Sequence, residues 1–165
     1  MIAKWPGELA YVRCPGWTMG QIVAKIEQVA QMGGLHYVMV DYLNKVRPDS
    51  RGQNFNYTQG RGSDIEDFKS CLERWGLVGF LGGQFDKDSK TKKRRKLSDL
   101  RDTGELDDKA QVGLVIDRGE KEDGSMSELC TIRVVKCNIG SMGPISMRMV
   151  GQRFLFTDDF TRTED

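Results

Sequence analysis

Asp41, Gln84 and Asp117 are the residues whose types and positions first suggest chemistry. Each of them follows a short apolar run that is typical of a buried strand. In open α/β sheets, ligands bind outside the carboxyl ends of the strands. A carboxylate there can organise Mg²⁺ beside nucleotide phosphates, and an amide can orient water or contact a terminal phosphate. Ordinary turns use the same residue types, so the pattern alone leaves both interpretations open.

A dense run of cations follows Gln84. Seven basic side chains stand within ten residues: Lys87, Lys90, Lys92, Lys93, Arg94, Arg95 and Lys96. A charge run is usually a solvated loop. However, Lys and Arg contacts to phosphates also supply affinity for nucleic acid without reading the bases. Because the run comes directly after a candidate phosphate sensor, it could be a polyanion-binding loop that responds to the nucleotide.

Helices and strands alternate in the first part of the chain. We predict a short strand over Glu8–Arg13 and then a helix that begins at Thr18. Gln21 stands three residues after Thr18, which is the spacing of a capping box, and the Gly33-Gly34 pair ends the helix. The continuous apolar run His36–Val40 predicts a strand that is covered on both faces.

The middle of the chain contains a long polar stretch without periodicity, Asn44–Gly62, which we interpret as a mobile loop. A second capping box, Ser63 with Glu66, predicts that the next helix opens at Ser63 and runs to Trp75. Leu77–Leu81 is predicted to be another buried strand.

The remaining elements shift from alternating to antiparallel. A helical stretch is expected around Ser98–Lys109, followed by a strand over Val112–Asp117. Three further strands, Leu129–Lys136, Ile145–Val150 and Arg153–Phe156, are spaced as consecutive antiparallel strands. Together the elements indicate an α/β core whose sheet gains an antiparallel edge.

Length and composition limit the class of protein. The chain has 165 residues with 25 Lys+Arg and 24 Asp+Glu, a formal net charge of +1. That length suits one domain over residues 1–165, and the near-neutral charge excludes a generally polybasic protein. The apolar runs are too short to span a bilayer and no secretory signal opens the sequence, so we predict a cytoplasmic protein.

The cysteines do not have metal-site spacing. Cys14, Cys71, Cys130 and Cys137 match no zinc ribbon or finger, and His36 is the single histidine of the sequence. We therefore interpret the four as reduced and mostly buried thiols, as is usual in a reducing compartment.

Several segments resemble the replicative, hexameric DnaB-type DNA helicases. Val38–Leu43 is similar to the strand and D-Y-L signature of that family, and Leu81–Gln84 to its L-S-Q strand end. The most specific similarity is Lys96–Leu106, which resembles S-D-L-R-E-S-G-x-I. Ala110–Arg118 and Val135–Gly140 resemble the D-A-D-strand-R stretch and the K-x-R-N-G hairpin.

The resemblance implies a RecA-like ATPase core, with a mostly parallel sheet flanked by helices and antiparallel strands at the C-terminal edge. By this likeness, ATP and Mg²⁺ are the cofactors of the full-length family, and this chain alone binds either these or none. Asp41 is then the Walker B ligand of Mg²⁺, and Gln84 senses the γ-phosphate. Lys136 would reach the nucleotide of an adjacent subunit in a hexameric ring around single-stranded DNA. The loops at Lys45–Gly62 and Phe85–Lys96 would face that DNA.

The sequence also departs from the family pattern. It contains no G-x-x-x-x-G-K-[S/T], so the phosphate loop is missing, and the catalytic carboxylate and the collar domain of the family lie upstream of the matching segment. Asn138 stands where the family has an arginine finger, a group that supplies about 10³–10⁵ in rate in related phosphoryl transferases. Either Asn138 is a real loss of that function, or a neighbour such as Arg133 or Arg148 replaces the finger.

Three hypotheses follow. In the first, the chain is a partial RecA-like domain of a DNA helicase that is inactive as an ATPase by itself and that self-associates through an exposed sheet edge. In the second, it is a non-enzymatic module that binds single-stranded DNA or partners a helicase. In the third, it keeps the RecA-like fold but belongs to a recombinase or a clock-type ATPase.

Overall fold

The structure is a computed structural model that describes residues 7–48, 57–85, 95–100, 106–151 and 155–158. Its helices are α1 (Met19–Gln31), α2 (Tyr57–Trp75) and α3 (Leu106–Lys109), with 3₁₀ turns at Leu43–Lys45 and Leu97–Asp99. Its strands are β1 (Tyr37–Val40), β2 (Val78–Leu81), β3 (Val112–Glu120), β4 (Met126–Cys137), β5 (Gly143–Val150) and β6 (Leu155–Asp158).

The start of α1 confirms the first predicted capping box. The backbone N–H of Gln21 donates to Oγ1 of Thr18 at 3.4 Å, and the backbone N–H of Thr18 donates to Oε1 of Gln21 at 3.0 Å. These bonds satisfy donors that a helix N-terminus otherwise leaves unpaired. Ile22 and Ile26 lie on the buried face of the helix.

The strand predicted over Glu8–Arg13 is wrong. These residues are irregular, and the side chains of Leu9 and Tyr11 are exposed. An alternating pattern forms a strand only where a second strand accepts its backbone hydrogen bonds. No strand in the described part of the chain pairs with this segment.

Helix α2 begins at Tyr57, six residues before the predicted start at Ser63. Ser63 and Glu66 therefore lie inside the helix, and the predicted loop Asn44–Gly62 is shorter than expected, with residues 49–56 outside the described ranges. A tertiary contact explains the difference. The guanidinium of Arg61 is buried in the first turns and donates to the backbone oxygen of Val46 at 2.8 Å. Such a contact outweighs the glycines of this segment, which weaken a helix by about 0.5–1 kcal/mol each.

Strands β1 and β2 form a parallel pair whose register runs from Tyr37 beside Val78 to Val40 beside Leu81. One face packs on the helices and closes a cluster of buried residues: Met19, Ile22, Ile26, Val40, Leu43, Val46, Ile65, Phe68, Cys71 and Leu106. The prediction that these strands are covered on both faces is wrong, because no described element covers the face of Tyr37 and Phe80. A continuous apolar run in the sequence indicates that both faces of a strand favour burial, but it does not show which elements cover them.

The C-terminal strands form a four-stranded antiparallel sheet in the order β3-β4-β5-β6. This arrangement confirms the three consecutive antiparallel strands, although residues 152–154 lie outside the described ranges and β6 begins at Leu155. The prediction that Asp117 ends its strand is wrong. Strand β3 extends to Glu120, so Asp117 lies within it. Among the strands of the described residues, β1 and β2 form the one parallel pair, so the balance of strands is more antiparallel than expected.

The helical stretch expected around Ser98–Lys109 is present in two pieces, the turn Leu97–Asp99 and α3. Residues 101–105 lie outside the described ranges. No helix in the described part of the chain combines the length and the apolar character that crossing a bilayer requires.

Candidate functional site

The carboxyl ends of β1 and β2 meet at one edge of the parallel sheet. The backbone N–H of Gly82 donates to the oxygen of Val40 at 3.0 Å, and the N–H of Leu43 donates to the oxygen of Gly82 at 2.9 Å. The side chains of Asp41 and Gln84, which directly follow these bonds, are both exposed. The structure therefore brings the two predicted residues to the same edge, where a ligand of an open sheet binds.

Gly82 allows the two strand ends to approach closely. A Cβ atom added to it would lie 3.3 Å from Cβ of Tyr42 and 3.7 Å from Oδ1 of Asp41. The peptide bond between Asp41 and Tyr42 is cis. A larger residue at position 82 would consequently press on the segment that carries the candidate Mg²⁺ ligand.

Asn44 adds a contact that the sequence did not indicate. Its Oδ1 atom accepts a hydrogen bond from the backbone N–H of Gln84 at 3.3 Å. The segment after Asp41 is thus bonded to the residue that follows the neighbouring strand. The only local signal was a polar residue two positions after a tyrosine, which is too common to predict this role.

A buried ion pair on α2 contacts the segment that follows Asp41. The side chains of Arg61 and Asp64 are 2% and 5% exposed, and Nη1 of Arg61 lies 3.4 Å from Oδ2 of Asp64. Arg61 also donates to the backbone oxygen of Val46, so α2 fixes the backbone at Val46. Val46 lies three residues after Leu43, which is bonded to Gly82. Removing charged groups from water is costly unless they are paired, so this contact is tightly specified.

Lys45 and Arg47 carry exposed cations close to the candidate site. The ammonium of Lys45 lies 6.0 Å from the centroid of the Tyr42 ring, at the outer limit of a cation–π contact. The backbone N–H of Arg47 donates to the oxygen of Trp17 at 2.8 Å, which joins the segment to the start of α1. Both cations are exposed, and both follow Asp41 within six residues in the sequence.

Most of the predicted basic loop lies outside the described residues, namely Lys87, Lys90, Lys92, Lys93 and Arg94. Its last two members, Arg95 and Lys96, are described. Lys96 is exposed, and its backbone N–H donates to Oδ2 of Asp99 at 2.9 Å.

Arg95 is bound to the antiparallel sheet. Its Nη1 atom lies 3.3 Å from Oδ1 of Asp117, and its guanidinium carbon lies 5.4 Å from the centroid of the Phe85 ring. Arg133 contacts the other carboxylate oxygen of Asp117, through Nη2 at 2.5 Å and Nε at 2.9 Å. Two arginines thus share one carboxylate. Asp117, predicted as a third polar residue at a strand end, instead fastens the end of the basic run to the middle of β3.

Lys136 and Asn138 lie near α3. The ammonium of Lys136 donates to the backbone oxygens of Asp107 and Asp108, which is a common way to satisfy the last carbonyls of a helix. Asn138 is exposed in the turn after β4, and its backbone N–H donates to the oxygen of Gln111 at 3.0 Å. Of the two arginines that could replace the finger, Arg133 is paired with Asp117, and Arg148 lies on β5 beside Leu129.

The thiols behave as structural side chains. Cys71 and Cys130 are buried, whereas Cys14 and Cys137 are half-buried, and all four are free. Burial raises the pKa of both the Cys71 and the Cys130 thiol, which keeps them neutral and poorly reactive.

The donor set at the sheet edge fits Mg²⁺ held with a nucleotide. In the described ranges, no group of three or more His, Cys, Asp or Glu residues is arranged to hold a metal ion. Mg²⁺ in nucleotide sites requires no such cage, because one or two carboxylates, phosphate oxygens and water complete its octahedron. Asp41, an exposed carboxylate at a strand end, is suited to be that one ligand.

Comparison with known proteins agrees with this architecture. Residues 7–158 match the family model of the DnaB-like helicase C terminal domain, and the chain therefore belongs to that family. It is 23% identical over 155 residues to the replicative DNA helicase DnaC of Bacillus subtilis, covering 92% of this chain and 34% of that protein. It is 26% identical over 113 residues to the replicative DNA helicase DnaB of Mycoplasma pneumoniae, covering 67% of this chain and 24% of that protein.

Two solved structures share the RecA-like fold. A DnaB-like replicative helicase, studied with its interactions with primase, gives a TM-score of 0.77 at 22% identity, covering 90% of this chain and 36% of that one. A solved ATPase domain, hereafter the reference ATPase domain, gives a TM-score of 0.76 at 23% identity, covering 87% of this chain and 52% of that one. The chain spans about a third of the B. subtilis relative. The family match favours the helicase hypothesis over the binding-module and recombinase hypotheses.

Proposed function

We propose that the chain forms the C-terminal part of an ATP-driven motor that moves a replicative helicase along single-stranded DNA. The observation that carries the proposal is the shared edge of β1 and β2, where Asp41 and Gln84 are exposed. Three hydrogen bonds join the two strand ends there. In a motor of this kind, ATP binding must be converted into a change of position of DNA-binding segments.

In this proposal Asp41 holds Mg²⁺ beside the nucleotide, and Gln84 responds to the γ-phosphate. The hydrogen bond from Gln84 to Asn44 would transmit a shift of either strand end to the other. Bound Mg²⁺ would neutralise charge that develops on the phosphates during hydrolysis. Phe85 follows Gln84 directly, so a movement of Gln84 would reach the start of the basic run.

We further propose that the basic run and the loop that begins at Lys45 and ends where α2 starts face single-stranded DNA, and that the motor works as a ring of identical subunits. Lys136 would reach the nucleotide of an adjacent subunit, with Asn138 beside it. In the described structure the Lys136 ammonium is bonded to carbonyls of α3, so this role requires it to exchange those partners for phosphate oxygens.

Salt-dependent binding to DNA tests the proposal. Anisotropy of a fluorescein-labelled oligo(dT) would be recorded between about 50 and 200 mM salt for the parent and for Lys92→Ala/Lys93→Ala/Arg94→Ala. Single-stranded binding weakens with salt by a slope of about 0.7 per phosphate contact, so the triple variant should show a slope that is less steep by about 2. The control is Arg13→Ala/Lys25→Ala/Lys121→Ala, which removes the same charge elsewhere. Equal slopes for the two variants would contradict a specific DNA-binding role for the run.

The purified chain should not turn over ATP by itself, because its sequence has no phosphate loop. A coupled assay with Asp41→Asn as the control measures this. Turnover that Asp41→Asn abolishes would show that the chain carries a complete catalytic site and would refute the proposal that it is only part of a motor.

A further inference from the structure

Two arginines from different elements converge on one carboxylate of the antiparallel sheet. Asp117 on β3 is paired with Arg95, which precedes the Leu97–Asp99 turn, and with Arg133 on β4. Arg133 stands beside Val115 in the register, so Arg133 and Asp117 share one face of the sheet. The side chains of Arg95, Asp117 and Arg133 are 24%, 31% and 21% exposed, so the cluster is largely covered but reaches solvent.

The carboxylate of Asp117 divides its two oxygens between the arginines. Oδ1 lies 3.3 Å from Nη1 of Arg95, whereas Oδ2 accepts from Nε and Nη2 of Arg133 at 2.9 and 2.5 Å. An arginine that binds an anion in the fork geometry makes two parallel bonds to two oxygens. Here both bonds of Arg133 end on one oxygen, because the other oxygen faces Arg95.

Arg133 also fixes the end of the basic run. Its Nη2 atom donates to the backbone oxygen of Arg95 at 3.3 Å. The guanidinium carbon of Arg95 lies 5.4 Å from the centroid of the Phe85 ring, and Phe85 pairs with Leu100 in an isolated antiparallel bridge. The residues on either side of positions 86–94 are thus joined to one another and, through Arg133, to β4. The cluster therefore lies at the base of the basic run.

A guanidinium can exchange a carboxylate for a phosphate. Its planar fork matches the geometry of both anions. A phosphodiester carries one negative charge and two unesterified oxygens, as a carboxylate carries one charge and two oxygens, so the exchange leaves the charge of the cluster unchanged. Partly exposed ion pairs contribute little stability, so the release of Asp117 costs little. Because the reference ATPase domain is only 23% identical, its likeness shows the fold and assigns no role to Arg133.

We propose that Arg95 and Arg133 form a binding site for a phosphodiester of single-stranded DNA, and that Asp117 occupies this site as an intramolecular competitor when DNA is absent. The inference rests on the proposed function, because it takes single-stranded DNA as the ligand. It adds a DNA contact on β4, outside the basic run, and a carboxylate that lowers the affinity for DNA. A competitor of this kind helps each phosphate to leave, which movement along a strand requires.

Replacement of Asp117 tests the competitor by the sign of its effect. Asp117→Asn in the full 165-residue chain should tighten binding of fluorescein-labelled oligo(dT) by about twofold, because the arginines lose the anion that competes with phosphate. If the cluster only held the basic run in place, the same change would release the run and weaken binding. In the background Arg95→Gln/Arg133→Gln, Asp117→Asn should give no gain, whereas an effect of net charge would persist there.

Replacement of Arg133 tests the site itself. Arg133→Gln should make the slope of affinity against salt less steep by about 0.7, the value of one contact to a single strand. Arg13→Gln removes an exposed arginine before α1 and should leave the slope unchanged. Arg133→Lys should also keep the slope, because it retains the charge although it loses the fork. Circular dichroism verifies that the variants fold, and Asp117→Asn supplies the sign test even if Arg133→Gln does not.

Three results would overturn the proposal: weaker binding by Asp117→Asn, the same gain from Asp117→Asn in both backgrounds, or equal salt slopes for Arg133→Gln and Arg13→Gln. Failure of the proposed function has a different signature. If Lys92→Ala/Lys93→Ala/Arg94→Ala keeps the slope of the parent while Arg133→Gln lowers it, the site at Asp117 is supported and the DNA-binding role of the basic run is contradicted. If the parent does not bind oligo(dT), both proposals are overturned.

Discussion

The region of α1, α2, β1 and β2 and the antiparallel sheet are stabilised in different ways. In the first region, side chains of both helices and of β1 form a continuous buried cluster. In the sheet, the buried apolar residues of the described strands are Val115 and Cys130. The helical region therefore has a continuous buried core, whereas the sheet buries few apolar side chains.

Polar contacts show the same difference. The helical region has a buried ion pair, Arg61 with Asp64, which α2 uses to hold the backbone after Asp41. In the sheet, Asp117 is partly exposed and joins Arg95 and Arg133, which are also partly exposed, on the face of β3 that carries Val115. A buried pair contributes to specificity and is costly to break, whereas exposed pairs contribute little stability. The comparison predicts that equivalent changes will have unequal effects in the two regions.

The largest difference is expected for phenylalanine. Phe68 is 4% exposed in the helical core and Phe156 is 40% exposed on the sheet. Phe68→Ala should lower the free energy of unfolding by about 3–5 kcal/mol because it leaves a cavity. Phe156→Ala should lower it by less than about 1 kcal/mol. Urea unfolding followed by tryptophan fluorescence measures both, and similar losses would show that the sheet face is covered.

Arginine gives the next comparison. Arg61→Met should cost about 3 kcal/mol because it removes the cation that faces the buried Asp64 carboxylate. The double variant Arg61→Met/Asp64→Leu should recover most of that loss. Arg133→Met removes the same type of side chain from the partly exposed pair with Asp117 and should cost about 1 kcal/mol or less. A larger loss for Arg133→Met than for Arg61→Met would reverse the comparison.

Two glycines test how firmly each region is packed. A Cβ atom at Gly79 would lie 2.2 Å from Cδ1 of Leu72 and 3.1 Å from Cε1 of Phe68. At Gly113 it would lie 2.3 Å from Cδ1 of Leu97, which belongs to a short turn and can shift more easily. Gly79→Ala should therefore cost about 2 kcal/mol and Gly113→Ala about 1 kcal/mol. Thermal unfolding of the two variants measures the difference, and a greater cost for Gly113→Ala would contradict it.

Patterns in the sequence predicted the elements whose specification is local. The capping box at Thr18, the strand that ends at Val40 and the antiparallel order of the last strands depend on neighbouring residues or on simple alternation. The placement of Asp41 and Gln84 at one sheet edge follows from the two apolar runs before them. Their roles toward ATP and Mg²⁺ stay predictions.

The errors involve contacts between distant parts of the chain. The start of α2 depends on the bond from Arg61 to Val46, which lies fifteen positions away, and no local pattern reports it. Asp117 follows an apolar run as Asp41 does, but its strand continues because β4 extends alongside it. Asn44 was not predicted because its partner is the backbone of Gln84, forty positions away.

A smaller effect concerns DNA. Asp117 binds Arg95 and Arg133, so it holds two cations that phosphates could otherwise contact. Asp117→Asn should tighten binding to oligo(dT) by about twofold, the scale of a partly exposed ion pair. Asp123→Asn makes the same change of charge in the turn between β3 and β4. If both variants tighten binding equally, net charge and not the arginine pair is responsible.

The smallest effect follows from the two buried thiols, one in each region. Burial raises the pKa of Cys71 in α2 and of Cys130 in β4, so each thiol ionises in the unfolded chain at a lower pH than in the folded protein. Their contribution to stability is therefore complete below the ordinary thiol pKa of about 8.5 and declines as the pH rises above it. Urea unfolding between about pH 7 and 10 should show a decline that Cys71→Ala and Cys130→Ala each reduce relative to the parent.

The two cysteines also report which region opens first. With Cys14 and Cys137 replaced by Ser, a thiol reagent reaches Cys71 and Cys130 only when the surrounding structure opens. Local opening is easiest where few buried apolar contacts must be broken. Since the sheet holds few such contacts, Cys130 should react faster than Cys71 at about pH 7.5 without denaturant. Equal rates would mean that the chain opens as one cooperative unit and that the difference in packing between the regions has no counterpart in their stability.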